Sequence, residues 1–393
     1  MTGPLYLAWR YLARHKVKTA ILVASIALIV FLPAALDSLV DQSAAQLSAR
    51  AQTTPLLLGA KGSSLELVLS ALYFESEPPE PVAWSEVERI AMSGLAEAIP
   101  LHLGFQARGH PIVGTTLEYL DFRGLELAQG RRMAMLGECV LGAGIARDLG
   151  LAPGGALVSS PESVFDLAGV YPLRMRVAGV LAPSHGPDDL AVFVDVKTAW
   201  VIAGLGHGHQ DLNEPGAEAA VLSRDGDRVV ANAAVVEYNE ISEENLASFH
   251  FHGDLGSHPV TAVIAIPESE KSRVLLMGRY AGAEESVQVV RPLAVMNALL
   301  DTVLTVRSYV VAAIGSVALA TLATSALVFM LSLRLRRREV ETLVKIGASR
   351  GSVALLLASE VVFVLAAGAL LAGGLTLAVS RFGQAAIRAL LLT

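Results

Sequence analysis

Two short segments gather imidazoles in a pattern that suits a divalent transition metal. GLGHGHQD carries His207 and His209, and SFHFHGDLGSH carries His250, His252 and His258 with Asp254 between them. Imidazoles with a carboxylate are ligands for zinc or copper. His207, His209, His250, His252, Asp254 and His258 are therefore the candidate metal set, with zinc as the first ion to consider. Their spacing matches no strict structural zinc signature. If FHFHGD is a strand, alternation puts His250 and His252 on one face and Phe249 and Phe251 on the other. The competing reading is a surface strand and a glycine loop that carry histidines without a metal, and the residues leave both open.

Other chemistry finds little footing. No H-E-x-x-H, G-x-S-x-G or S-x-x-K occurs in a convincing context. GAKGSS (59–64) invites comparison with a phosphate-binding loop, but that loop needs Gly-Lys followed by a hydroxyl residue, and the chain contains no Gly-Lys pair. Gly59 and Gly62 read instead as turn glycines. Cys139, in GECVLG, falls in an expected strand with nothing basic beside it, so it reads as a buried structural thiol. Asp188-Asp189 and Glu243-Glu244 read as solvated loop acids. The expectation is a non-catalytic protein.

The elements that must position these residues follow from composition. Of 393 residues 53% are hydrophobic and only 17% charged. The apolar excess sits at the two ends, and a stretch of mixed composition, roughly residues 42–300, lies between them. The net charge of −7 argues against a nucleic-acid partner. A single cysteine rules out an intrachain disulfide.

Thr19 to Leu36 is apolar for about the 20 residues that a bilayer core requires. Arg10, Arg14, Lys16 and Lys18 precede it, and Asp37 and Asp41 follow, which holds the N-terminus inside. Pro33-Ala34-Ala35 is a poor signal-peptide cleavage site, so the segment is expected to remain as an anchor. In residues 4–16 Leu5, Ala8, Trp9 and Leu12 share one helical face opposite Arg10 and Arg14, the pattern of an interfacial helix. Ser308 to Leu333 and Ser352 to Ser380 make a second and a third span. The basic, amphipathic loop between them is cytoplasmic by the positive-inside rule. Glu360, about two turns into the third span, either snorkels to the headgroups or makes a functional contact. Gly368, Gly373 and Gly374 would allow close helix approach. The last thirteen residues are too few for a fourth span.

The expected organisation is 1–18 interfacial helix, 19–41 span, 42–307 extracytoplasmic domain, 308–333 span, 334–351 cytoplasmic helix or loop, 352–380 span, and 381–393 tail. Within the large domain Ser85 is expected to cap a helix, with Glu88 three residues on. LHLGFQARGHPIVGTT, RMRVAGVLAP and VTAVIAIPES read as strands. ECVLGAGIARDLGLAPGGALV reads strand, helix, glycine turn, strand. The fold class is α+β, on a membrane protein with three predicted transmembrane helices.

LYLAWRYLARHKVKTAILVASIAL at one end and RRREVETLVKIGASRGSVALLLASE at the other resemble the permeases of MacB/FtsX/Lol-type ABC transporters. IVGTTLEYLDFRGLELAQGRRM, VLGAGIARDLGLAPGGALV and FVDVKTAW, in that order, are similar to that family's periplasmic core. GAKGSSLELVLSALYF and FHFHGD also resemble a bacterial subgroup tied to zinc- or iron-linked transport. The resemblance implies a multi-pass protein of the bacterial inner membrane with its large domain in the periplasm. ATP would be bound by a partner ATPase and no cofactor by this chain. The other implied partners are a second permease copy or a sister permease, a periplasmic substrate-binding or adaptor protein, and membrane lipid. Arg336, Arg338, Glu339, Glu341, Lys345, Gly347, Ala348 and Ser349 would couple the ATPase to the spans. Gly347 is expected to end one helix and Ser349 to cap the next. Family members have four spans, and this sequence offers three. Two alternatives stand beside force transmission for transport: a signalling subunit that activates a periplasmic partner, and a membrane-anchored metal-binding module.

Overall fold

The computed structural model describes residues 3–159, 172–209, 221–225, 228–231 and 238–391. It divides into two compact units, Met1–Ala49 with Asn297–Thr393, and Arg50–Met296. The chain opens with helices α1 (Gly3–Arg14) and α2 (Lys16–Gln52). Then come β1 (Leu56–Ala60), α3 (Ser64–Val68), β2 (Val82–Ala83), α4 (Ser85–Met92), β3 (Ala96–Ala107), β4 (His110–Thr115), α5 (Leu117–Phe122), β5 (Leu127–Gly130) and β6 (Glu138–Leu141). They are followed by α6 (Ala143–Leu149), β7 (Ala156–Val158), β8 (Arg174–Leu181), β9 (Val192–Asp195), α7 (Val196–Ile202), β10 (Gly206–Gly208), β11 (Val221–Asp225), β12 (Arg228–Ala231) and β13 (Phe249–Phe251). The domain ends with β14 (Pro259–Val260), β15 (Ala262–Pro267), α8 (Glu270–Arg279) and β16 (Val287–Val290). Three helices finish the chain: α9 (Pro292–Leu335), α10 (Arg337–Lys345) and α11 (Arg350–Leu391).

The Arg50–Met296 unit is α+β. Its main sheet runs β16-β1-β15-β3-β4-β9-β6-β8-β5, with β7 added beside β8. The sheet is mixed: β4 pairs parallel with β9 and β6 parallel with β8, while the other neighbours are antiparallel. β1 reads LLLGA because it lies between two strands with both faces covered, which favours a continuous apolar run over alternation. Helix α7 is VKTAWVI and nearly all buried, so it is apolar around its whole circumference; Asp195 caps it by accepting from the Lys197 N–H at 2.9 Å. Trp200 of α7 is fully buried, and its indole N–H donates to Pro259 O at 2.7 Å, so its polar end is satisfied.

Two local expectations are corrected. Ser85 does not cap α4; the cap position is Trp84, and its indole N–H reaches Glu88 Oε1 at 3.2 Å. Gly59 is not a turn residue. It sits in β1 opposite Ala262, where a Cβ would stand 2.4 Å from Leu67 Cδ1, so a larger residue would have to displace the Leu67 side chain that α3 lays over the strand.

His102 on β3 is 6% exposed, and neither ring nitrogen has a hydrogen-bond partner. Burial pushes its pKa down from 6.5 to about 4. The folded imidazole therefore stays neutral where the unfolded one takes up a proton. Its contribution to stability is complete above pH 6.5 and is lost as pH falls towards 4. His102→Leu is expected to flatten stability between those limits and to raise the melting temperature at pH 5 relative to the parent. Urea unfolding at pH 7.5 and pH 5 checks this; an unchanged pH dependence would count against it.

In the other unit, among the described residues, three helices are long and apolar enough to cross a membrane: Lys16–Gln42, Pro292–Ser332 and Arg350–Phe382. Leu22, Ile26 and Val364 form a small buried cluster with Leu12 packed against it. Gly368 brings α11 close to α2: a Cβ there would stand 2.7 Å from Ile26 Cγ2. Gly373 and Gly374 face open space. Asp37 and Asp41 both bind Arg307, whose Nε lies 2.8 Å from Asp37 Oδ1 and whose Nη1 lies 3.1 Å from Asp41 Oδ1.

Candidate functional site

β10 and β13 pair antiparallel, with Gly206 opposite Phe251, His207 opposite His250 and Gly208 opposite Phe249. The pairing extends one step further, where the His252 N–H donates to Leu205 O at 3.0 Å. Phe249 and Phe251 turn to the core and pack against its buried cluster. Their rings leave no room opposite: a Cβ would stand 2.6 Å from the Phe251 ring at Gly206 and 2.5 Å from the Phe249 ring at Gly208. Glycine and phenylalanine thus claim one face, and strand alternation delivers the histidines to the other. Ring centroids are 4.8 Å apart for His207–His250 and for His207–His252, and 4.9 Å for His250–His252. His209 lies 5.4 Å from His250 and 5.9 Å from His207. Ligand nitrogens of His207, His209 and His250 all fall within 4.8 Å of one another.

His250 Nδ1 lies 3.0 Å from Ser248 O. A carbonyl only accepts, so this contact places the proton on Nδ1 and leaves the Nε2 lone pair for a ligand. Asp254 and His258, grouped with these residues by sequence proximity, lie outside the cluster. His258 is buried with its ring 4.8 Å from Trp200, and its Nδ1–H donates to Asp254 O at 3.0 Å.

The second sequence-derived site is the segment around α10. Val340 and Leu343 are half-buried, while Arg337, Arg338, Glu339, Glu341 and Lys345 are exposed. Gly347, at φ +98°, turns the chain after α10 in a conformation that side chains resist, and the Ala348 N–H donates back to Leu343 O at 3.0 Å. Ser349 caps α11 by accepting from the Ser352 N–H at 3.1 Å. Arg336 is set apart from the other basic residues. Its Nη1 donates to Glu360 Oε1 at 2.8 Å and Oε2 at 3.0 Å, its Nε donates to Glu339 at 3.0 Å, and its guanidinium stacks 3.6 Å over the Tyr11 ring. Glu360 is 5% exposed, and Arg336 is its partner. Lys18 Nζ donates to Ser332 Oγ at 2.6 Å on the same side of the unit. A cavity of about 230 Å³, lined by Phe329, Ser332, Leu357, Ala358, Glu360 and Val361, opens beside the pair.

Two buried ionic groups were not visible in the sequence pattern. Asp188, read there as a solvated loop acid, is 3% exposed. Arg50, at the end of α2, reaches it with Nη1 at 2.5 Å and Nη2 at 2.9 Å; Nη2 also donates to Tyr119 Oη at 2.7 Å, and the Tyr119 hydroxyl donates to Asp188 at 2.9 Å. Burial pushes the Tyr119 hydroxyl up to about 12. Burial alone would lower the Arg50 pKa, but Tyr119 and Asp188 outweigh it and raise it. The turn carrying Asp188 is seated by two glycines at the head of α6: a Cβ at Gly142 would stand 2.2 Å from Asp188 O, and one at Gly144 2.8 Å from Asp189 O. The second group is Glu138 on β6, bound by Arg131 at 2.6 Å and Arg176 at 2.7 Å. Burial raises its pKa, but these guanidinium groups and the N–H groups of Ala134 and Met135 outweigh it and hold the carboxyl at about 2. Beside it Cys139 is buried, and burial pushes its thiol up to about 12, as an inert structural cysteine requires.

A mixed α+β domain is joined to three apolar helices, with a short charged helix between the last two. Residues 19–237 match the family model of the MacB-like periplasmic core domain, and the chain belongs to that family of ABC transporter permeases. The matched residues include His207 and His209 and stop before His250 and His252. Among solved structures the chain is similar to the periplasmic region of MacB from Actinobacillus actinomycetemcomitans, at 12% identity over 63% of this chain and 94% of that one, with a TM-score of 0.35. It is also similar to the extracellular domain of the noncanonic ABC-type transporter YknZ from Gram-positive bacteria, at 12% identity over 60% and 98% of the two chains, with a TM-score of 0.32. No curated protein matches it.

Proposed function

We propose that this chain is the non-catalytic permease subunit of an ABC transporter, passing the force of ATP hydrolysis by a separate ATPase to the Arg50–Met296 domain. In this reading it is a multi-pass protein of the bacterial inner membrane, with α1 and α10 on the cytoplasmic side and the α+β domain and C-terminal tail in the periplasm. It works beside a second copy of itself or a sister permease. Charge supports the orientation, since Arg10, Arg14, Lys16 and Lys18 flank the first span and Arg334, Arg336, Arg337 and Arg338 the second.

The observation that carries the proposal is the construction of α10. A helix of nine residues exposes Arg338, Glu339, Glu341 and Lys345, and is tied at its start to α11 and α1 through Arg336, Glu360 and Tyr11. A push on its exposed face has a direct route into both neighbours. The chain's own lack of a Gly-Lys phosphate loop agrees with energy entering from outside.

Glu341 is 53% exposed and, among the described residues, pairs with Arg337 along the helix, a contact worth about 0.3–0.5 kcal/mol. Glu341→Arg is therefore expected to fold normally while losing most capture of its partner ATPase, measured by co-purification and by stimulated ATP hydrolysis. Full capture and full stimulation would remove the coupling role of α10.

A further inference from the structure

We propose that His207, His209, His250 and His252 form a binding site for one divalent transition-metal ion with the chemistry of zinc. The proposal does not rest on the coupling reading, since it requires neither an ATPase nor a membrane potential.

Three observations converge. The first is placement: four imidazoles from two paired strands share one face, with ring centroids between 4.8 and 5.9 Å for the five close pairs. The second is reach. Four ligands about 2.1 Å from a tetrahedral zinc lie ~3.4 Å from one another. The nitrogens of His207, His209 and His250 are already within 4.8 Å, so ring rotations and small strand shifts close the set. The third is protonation, because Ser248 O holds the proton on His250 Nδ1 and presents Nε2, the outer-sphere arrangement that metal-binding histidines use.

The donor set selects the ion. Calcium and magnesium take oxygen ligands, so an all-imidazole cluster disfavours them. A set of neutral imidazoles with no thiolate suits zinc, and also copper or nickel when the geometry flattens. Two ligands from each of two strands bring the donors to the metal from different directions, which favours a tetrahedron over a square plane. Because the cluster joins β10 to β13, a bound ion would cross-link segments 205–209 and 248–252, which are otherwise held by the short backbone ladder.

The experiment uses the full-length chain in detergent micelles, stripped with a chelator and titrated with zinc chloride in a calorimeter at pH 7.5. One ion per chain is expected. Losing one outer-sphere partner of a metal-binding histidine typically costs 10–100-fold in affinity. Removing two ligands in His207→Ala/His250→Ala should therefore weaken binding by about 100-fold or more. His185→Ala, an exposed histidine outside the cluster, should bind as the parent does. Substituting cobalt reports the geometry directly, as an intense visible band for four-coordinate metal that is lost in His252→Ala. Circular dichroism of each variant confirms that the fold is kept; if the double variant is misfolded, the cobalt band in His252→Ala decides. Zinc uptake well below one per chain, binding that survives the double variant, an equal loss in His185→Ala, or an unchanged cobalt band in His252→Ala would each overturn the site.

Discussion

Arg50→Met is expected to destabilise the α+β domain by about 3–5 kcal/mol, the cost of leaving one partner of a buried ion pair alone. The side chains of Arg50 and Asp188 are only 10% and 4% exposed, so the abandoned carboxylate cannot recover its hydration. Tyr119 would still donate to Asp188, but one hydroxyl does not replace two guanidinium contacts. For a domain of this size the loss corresponds to a fall in melting temperature on the order of 10 °C. Trp84 and Trp200, with rings 5.2 Å apart inside the domain, give a fluorescence signal to follow it. The double variant Arg50→Met/Asp188→Leu should regain much of the loss, because it removes the charges together. A single variant costing less than about 1 kcal/mol would show that water reaches the pair as it does at an ordinary surface bridge.

Arg336→Leu is the second large effect. It leaves Glu360, 5% exposed on an apolar helix, without its guanidinium. An acid in that setting costs about 2.5–3.5 kcal/mol at mid-membrane depth and less nearer the surface. Lys18 lies on the same side of the unit, bound to Ser332, and can swing to Glu360 to offset part of the loss. Arg336→Leu/Lys18→Leu should therefore be worse than either single variant. The pair Arg336→Leu/Glu360→Leu should restore a monodisperse protein in detergent while leaving ATP-driven movement impaired, because α10 is then no longer tied to α11. Thermal stability and ATPase stimulation, measured on the same preparations, separate the two consequences. Normal stimulation in the doubly apolar variant would mean that the tie serves folding alone.

The parts of this structure that were legible in the sequence are those written in local pattern. Apolar length marked the membrane helices, and glycine followed by serine marked the end of α10 and the cap of α11. Alternation in FHFH is enough to place His250 and His252 on one face. What stayed hidden depends on contacts far apart in the chain. Asp188-Asp189 looks like a solvated acidic turn until Arg50, 138 residues earlier, is brought against it. Gly59 looks like a turn glycine until Leu67 closes over it. Asp254 and His258 are near the other histidines in sequence, yet the aromatic ring of Trp200 draws His258 into the core instead. Proximity along the chain carries no information about which face a side chain takes once a strand has ended.

The glycine–phenylalanine face described above has a consequence for how the chain finds its pairing. A slip of one residue between β10 and β13 would set His207 opposite a phenylalanine and Gly206 opposite a histidine, forcing an imidazole against a ring. A slip of two in either direction would keep only one of the two phenylalanines opposite a glycine of β10. Both phenylalanines meet a glycine of β10 in one alignment alone, so the glycine–phenylalanine pairs act as a ruler whose marks coincide only when the segment is correctly assembled.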